Sequence, residues 1–392
     1  MTSILSDWRI PLSHLDYGPE EEVAVRRVIK SGWLSMGPEV ESFEREFAQF
    51  LGVQFAIAVS SGTAALHLAY LALGLGPGDE LVQSPINFVA AANLTVAIGA
   101  TPVFADIISL NEPTIDPAEI ERRLTPQTKA VLVMHYGGYP CRMSEISAIC
   151  KDHRLALIED ACHAVGARYA GMPQEVSNGK MAGTIGDIGC FSFFSNKNLA
   201  IGEGGMVVTN RADLAERVRK LRSHGMTSLT WDRHRDHTTS YDVTTNGYNY
   251  RLDEIRGALG RVQLQKLERN NAWRKKLVET YRYKLSSLEG WTITFNEYEG
   301  DTACHLMVVV APTEAERTAA VSHLKEMRIQ TSMHYPFIPS FSAFRDSGTF
   351  DAKGLTRSIS FAQRAMTLPL SSGMTVAQTV EVGGALLQAP PA

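Results

Sequence analysis

Cys190-Phe-Ser-Phe-Phe-Ser-Asn-Lys-Asn-Leu-Ala-Ile-Gly-Glu-Gly-Gly205 runs from an apolar, strand-like stretch (Ile188 to Phe194) through a single lysine into a glycine-rich turn. Gly205-Met-Val-Val-Thr209 follows as a second apolar run. A lysine at the end of a buried strand loses hydration, which disfavours its charged form, lowers its pKa and leaves the amine nucleophilic. Lys197 therefore has the setting that a Schiff-base lysine needs. A lone lysine after a strand is ordinarily a surface residue, but two other segments end strands in a similar way: Ser60-Ser-Gly-Thr-Ala-Ala-Leu66 and Leu157-Ile-Glu-Asp-Ala-Cys-His163.

Outward from these segments, apolar runs alternate with helical patterns through the first two thirds of the chain. Phe55 to Val59 reads as a strand and Thr63 to Leu73 as a helix. Pro102 to Asp106, Lys129 to Met134 and Leu155 to Glu159 read as strands, with a helix from about Met143 to Lys151 between the last two. Fully apolar strands separated by helices predict an α/β fold, with a mostly parallel central sheet covered by helices on both faces. Near Arg251 the texture changes to a long helical stretch reaching about Leu288. His305 to Val310 then reads as a strand, and Thr313-Glu-Ala-Glu316 as a capping box opening a helix to about Met327. We therefore expect a large domain over residues 1–250, with an N-terminal helical segment. Residues 251–392 are expected to hold a long linking helix and a smaller α+β domain.

The chemistry sits where strands give way to helices. Ser61, Gly62 and Thr63 lie at such a junction, where unpaired backbone N–H groups bind phosphate and glycine admits close approach. The plain alternative is a serine N-cap. Asp160 ends a strand at the edge where α/β proteins place ligands, and a carboxylate there can keep the pyridine nitrogen of pyridoxal phosphate (PLP) protonated. The plain alternative is again a helix cap. His163, three residues on, is placed to reach the cofactor's phenolic oxygen or to stack on its ring. Phe88, in Ser84-Pro-Ile-Asn-Phe-Val-Ala-Ala-Ala-Asn93, offers a flat face for a heteroaromatic ring, or else is core. Asn249, in Gly247-Tyr-Asn-Tyr-Arg-Leu-Asp-Glu254, is a candidate phosphate ligand.

Two patterns are decoys. Gly74-Leu-Gly-Pro-Gly78 follows a helix and contains a proline, so it is not a dinucleotide-binding loop. His234-Arg-Asp-His237 has metal-like spacing but no carboxylate set beside it, and reads as a solvated or substrate-facing loop, so no metal is expected.

Bulk properties narrow the class. With 38 basic against 42 acidic residues among 392, the net charge is −4, and no basic run suggests a nucleic-acid partner. No apolar stretch has the length of a membrane span, and the N-terminus lacks the basic and apolar regions of a signal peptide. Five scattered cysteines without a Cys-x-x-Cys fit free thiols in a reducing cytoplasm.

Taken together, the motifs resemble the DegT/StrS family of PLP-dependent sugar aminotransferases, from Ile10-Pro-Leu to about Met374. The matching segments include Ser31-Gly-Trp-Leu-Ser35 with Gly37, Ser60 to Leu66, Gly78-Asp79, Glu159-Asp160, Phe191-Ser-Phe with Lys197-Asn198, and Glu203-Gly-Gly205. Gly247 to Arg251, His334-Tyr-Pro336 and Leu368-Pro-Leu370 complete the series. The resemblance implies the fold type I of PLP enzymes, usually a homodimer. It implies Lys197 as the Schiff-base lysine, Asp160 at the pyridine nitrogen, His163 near the phenolic oxygen and Phe88 stacked on the ring. Gly62, Thr63 and Ser192 would contact the phosphate, with Asn249 reaching in from the other subunit. Asn87 and Asn196 depart from the family pattern, and no hydroxyl contact is carried over to Asn196. The implied reaction moves an amino group from an amino acid, L-glutamate by family habit, to a nucleotide-linked keto-sugar. The rivals are a PLP-dependent sugar dehydratase, which carries histidine at the lysine position, and a PLP-binding regulator without turnover.

Overall fold

The structure is a computed structural model, and it describes residues 7–171, 178–228, 231, 240–298, 300–345 and 353–390. The His234 and His237 pair falls outside them.

Seven strands form the main sheet: β1 (Phe55–Val59), β2 (Glu80–Gln83), β3 (Thr101–Phe104), β4 (Thr128–Met134), β5 (Ala156–Asp160), β6 (Ile188–Ser192) and β7 (Gly205–Thr209). Their order is β1-β7-β6-β5-β4-β2-β3. Every neighbouring pair is parallel except those made by β7, which runs antiparallel to both β1 and β6. The expected mostly parallel sheet is present. The connection between β6 and β7 holds no helix that could carry the crossover a parallel neighbour usually has, and β7 returns antiparallel.

Side chains alternate across the sheet and fill a core on each face. On one face Ala56 and Ala58 of β1, Phe191 of β6 and Met206 and Val208 of β7 pack with Phe43 and Phe47 of the helix Pro38–Leu51. On the other face Ile57, Val59, Cys190 and Val207 meet Ala65, Leu68 and Ala69 of the helix Gly62–Ala72. Both faces are therefore packed, which leaves the strand ends as the place for a ligand.

A 31-residue helix, Glu254–Lys284, is opened by Asp253, whose Oδ1 accepts from the Arg256 N–H at 2.9 Å. Its first residue also ties down the N-terminal helical segment: the Glu254 carboxylate accepts from the N–H groups of Gly37, Glu39 and Val40 at the start of the helix Pro38–Leu51. A second, antiparallel sheet of β8 (Thr292–Ile293), β9 (Met307–Val310) and β10 (Ala365–Leu368), in the order β10-β9-β8, has its own core with Leu277, Val278 and Tyr281 of the long helix.

Some expectations shift at their ends. The strand expected from His305 begins at Met307, because the His305 N–H is taken by the Gly137 carbonyl at 2.8 Å. The expected capping box at Thr313 is only half formed. Thr313 Oγ1 accepts from the Glu316 N–H, but the Glu316 side chain bonds that hydroxyl rather than the Thr313 backbone. A reciprocal box stands instead at Thr375 and Gln378. Among the described residues no helix is long and apolar enough to cross a membrane.

Candidate active site

The carboxyl ends of β1, β2, β4, β5 and β6 gather at one edge of the main sheet. Because β7 runs the other way, its start meets them there and brings in Glu203 from the preceding turn. A cavity of about 370 Å³ opens at this edge, and Ser61, Gly62, Thr63, Phe88, Asp160, His163, Ser192 and Lys197 all line it. Residues spread over more than 130 positions of sequence thus converge on one space. Asn249 is exposed, forms an isolated bridge with Ser223 and is not part of this lining.

Lys197 follows β6 in a turn closed by its own N–H to the Phe194 carbonyl at 2.9 Å. Burial lowers its pKa below the usual lysine value, and the proximity of Cys162 and Asp160 only partly opposes the shift. Its neighbour Asn198 is held from three sides. The Asn198 Nδ2 donates to Asn271 Oδ1 and to the Ala303 carbonyl, and its Oδ1 faces His305 Nδ1 at 3.0 Å. The turn bearing the amine is thereby fastened to both the long helix and the segment before β9.

Asp160 ends β5, and its Oδ1 accepts from the Cys162 N–H at 3.1 Å. Its neighbour Glu159 points to the other side of the strand. There the Glu159 carboxylate accepts from the backbone N–H groups of Gly183, Ile185 and Gly186 and pairs with His135 Nε2 at 2.9 Å. Burial alone would raise its pKa. His135 and the backbone donors outweigh that cost and hold the carboxyl below its ordinary range.

Ser61 is the helix N-cap that its plain reading gives. Its side chain caps the helix Gly62–Ala72 by accepting from the Ala64 N–H at 3.0 Å, and the residue lines the cavity as well. The N–H groups of Gly62 and Thr63, in the first turn, have no intrahelical acceptor and carry the helix's partial positive charge. Gly62 is required by contact: a Cβ there would stand 2.7 Å from Ser192 Cβ and 3.3 Å from Cys162 Sγ. Phe88 is 56% exposed, a high value for a phenylalanine at a cavity wall. Two more polar atoms on lining residues, Asn87 Nδ2 and Asn196 Oδ1, are buried with no protein partner.

The sequence reading gave no role to several lining residues: Cys162, Glu203, Asn196, His334 and Tyr335. Only the motif His334-Tyr-Pro336 signalled the last two, and nothing in the sequence shows which residues it meets. In the structure, His163 Nε2 lies 2.8 Å from Tyr335 Oη, and His334 Nδ1 lies 2.9 Å from Thr367 Oγ1. Among the described residues no group of three or more His, Cys, Asp or Glu side chains could hold a metal ion.

An electron-poor pyridine with a phosphate arm and an aldehyde fits what this edge offers: unpaired N–H groups and hydroxyls for the phosphate, a carboxylate, an exposed aromatic face and an amine of lowered basicity. The fold and the donor set define a PLP-dependent transferase. Comparison with known proteins narrows this class. The sequence model of the DegT/DnrJ/EryC1/StrS aminotransferase family matches residues 16–387, and the chain belongs to that family of PLP-dependent sugar aminotransferases. The chain is 37% identical over 371 residues to the spore coat polysaccharide biosynthesis protein SpsC of Bacillus subtilis (strain 168), covering 93% of each chain. Among solved structures it resembles S. venezuelae DesV in complex with a ketimine intermediate, at 34% identity and a TM-score of 0.87, over 97% of this chain and 98% of that one. It also resembles Helicobacter pylori PseC, an aminotransferase involved in the biosynthesis of pseudoaminic acid. There the identity is 27% and the TM-score 0.88, over 98% and 99% of the two chains.

Proposed function

We propose that this enzyme transfers an amino group from L-glutamate to a nucleotide-linked keto-sugar, with Lys197 as the residue that carries the cofactor. The observation that carries the reading is that Lys197, of lowered basicity, and Asp160 line the same cavity. When bound, PLP supplies an electron sink for the carbanion formed at the amino-bearing carbon. The protein supplies the rest. Asp160 holds a proton on the ring nitrogen. The N–H groups of Gly62 and Thr63, with the hydroxyls of Thr63 and Ser192, grip the phosphate. Phe88 covers one ring face. Lys197 Nζ would hold the cofactor and would serve as the group that takes and returns the proton during the exchange, and burial, which lowers its basicity, suits it to that role.

The sugar acceptor draws support from the relatives, which act in spore coat polysaccharide and pseudoaminic acid biosynthesis. We assign residues 1–250 to the cofactor-binding domain and 251–392 to the linking helix and small domain. We further infer a homodimer in which Asn249 of each chain reaches the partner's phosphate site. This agrees with its exposed position outside its own chain's cavity. Five free cysteines fit a reducing cytoplasm.

Two experiments test the proposal. Borohydride reduction followed by peptide mapping should place the pyridoxyl group on Lys197, and a label on any other lysine overturns the assignment. The enzyme loaded with the amine form of the cofactor should then return to the aldehyde form with nucleotide-linked keto-sugars. Return with free keto-sugars or cyclitols alone would refute the acceptor class, and no spectral response to L-glutamate would refute the donor.

A further inference from the structure

We propose that Tyr335 Oη, rather than His163, donates the hydrogen bond to the cofactor's phenolic oxygen, and that His163 serves to position Tyr335. This rests on the reading that Lys197 and Asp160 hold the cofactor in this cavity. The family pattern puts His163 at the phenolic oxygen, yet both nitrogens of its ring are already engaged by the protein. Nδ1 accepts from the Gly137 N–H at 3.3 Å, and Nε2 lies 2.8 Å from Tyr335 Oη. An imidazole whose Nδ1 accepts a hydrogen bond carries its proton on Nε2. Nε2–H must therefore donate, and Tyr335 Oη is its acceptor.

The tyrosine's own hydrogen is left over. Among the described residues Tyr335 has no acceptor for it, and the residue lines the cavity. A cavity-lining phenol that accepts one hydrogen bond still has its own O–H to donate to a ligand in the cavity.

The chemistry of the cofactor indicates what that is. Its phosphate arm and its phenolic oxygen flank the aldehyde carbon on opposite sides. With Gly62, Thr63 and Ser192 proposed for the phosphate, the donor to the phenolic oxygen is sought in the wall that carries His163 and Tyr335, which line the same cavity. That wall is stiff. A Cβ on Gly138 would stand 2.9 Å from the His163 carbonyl oxygen, and Tyr136 Oη donates to the His334 carbonyl just before Tyr335. Burial, Lys197 and His334 all hold the His163 imidazole well below its ordinary pKa, so it stays neutral, and the Gly137 N–H sets which nitrogen carries its proton. The tyrosine is likewise kept protonated, its pKa raised by burial and by Tyr136, Asp160 and Cys162.

A donor at the phenolic oxygen withdraws electron density from the ring and makes the lysine-linked nitrogen less basic. The test is the pH midpoint of the bound cofactor's visible absorbance in four holoenzymes: wild type, Tyr335→Phe, His163→Gln and the double variant. The titratable groups facing Tyr335 are His163, His334, Tyr136, Asp160, Cys162 and Lys197, and of these only His163 changes across the set. Tyr335→Phe should raise the midpoint by about one unit, the size expected for losing one hydrogen bond to a charged acceptor. His163→Gln should raise it by less, and should add nothing in the Tyr335→Phe background. An unchanged midpoint in Tyr335→Phe, or a further shift from His163→Gln in that background, overturns the proposal. Peptide mapping of the reduced lysine checks the Lys197 reading separately, so failure of one is visible apart from failure of the other.

Discussion

Gly62 and Ser192 approach each other so closely that a Cβ on the glycine would stand 2.7 Å from Ser192 Cβ. One residue starts a helix and the other ends β6, and their contact sets the width of the cleft where the phosphate is proposed to sit. Substituting Gly62 by alanine should push the two elements apart. We expect it to destabilise the apoenzyme by about 1–3 kcal/mol, the usual penalty for overpacking, and to weaken cofactor retention. Adding Ser192→Gly should restore thermal stability without restoring retention, because the hydroxyl is gone. Unfolding curves and cofactor dialysis separate the two effects. Tight retention by Gly62→Ala would show that this contact does not shape the phosphate site.

Asp160→Asn should fold normally, since the amide oxygen can still accept from the Cys162 N–H. Its turnover should fall at least tenfold, because an ionic hydrogen bond of this kind is worth on the order of 1.5–3 kcal/mol. Single-turnover kinetics with saturating donor would measure the loss. Near wild-type turnover would remove Asp160 from the chemistry.

The neighbouring carboxylate should behave differently. Glu159 and His135 are both fully buried, and the Glu159 carboxylate also holds three backbone N–H groups. Glu159→Ala should cost about 3–5 kcal/mol of stability, the penalty of breaking a buried charged network. Its carboxyl is held below the ordinary value of 4.5, so the stabilisation is fully present above that pH and is lost as pH falls through the depressed value. The stability gap between wild type and Glu159→Gln should therefore narrow below pH 4.5. Denaturant melts across pH 3–7 would show it, and a constant gap would contradict the assignment.

If Asn249 serves the partner's site, two inactive variants can complement. Lys197→Ala and Asn249→Trp, refolded together, give mixed dimers in which one site carries both lesions and the other neither. Random pairing makes half the dimers mixed, so recovery of up to about a quarter of wild-type activity is expected. A fully active monomer, or no recovery in verified mixed dimers, would falsify the shared site.

Much of this was legible in the sequence because it depends on local pattern. Apolar runs of strand length marked β1, β4, β5, β6 and β7, and Asp160 at the end of β5 and Lys197 in the turn five residues after β6 fell at the ligand-binding edge. The short strands β2, β8 and β10 were not read from the sequence.

By itself, then, the sequence determined the alternation of strands and helices, the positions of Asp160, Lys197 and Ser61-Gly62-Thr63 at or just after strand ends, and through its motifs the family. The tertiary structure alone decided how distant segments meet. It reversed β7, turned Glu159 away from the cavity its neighbour Asp160 lines, left Asn249 outside the cavity of its own chain, and brought Tyr335 to within 2.8 Å of His163 across 172 positions. The physical reason is range. Propensity and periodicity act over a few residues, whereas the protonation and direction of a buried side chain are set by whatever the folded chain places against it.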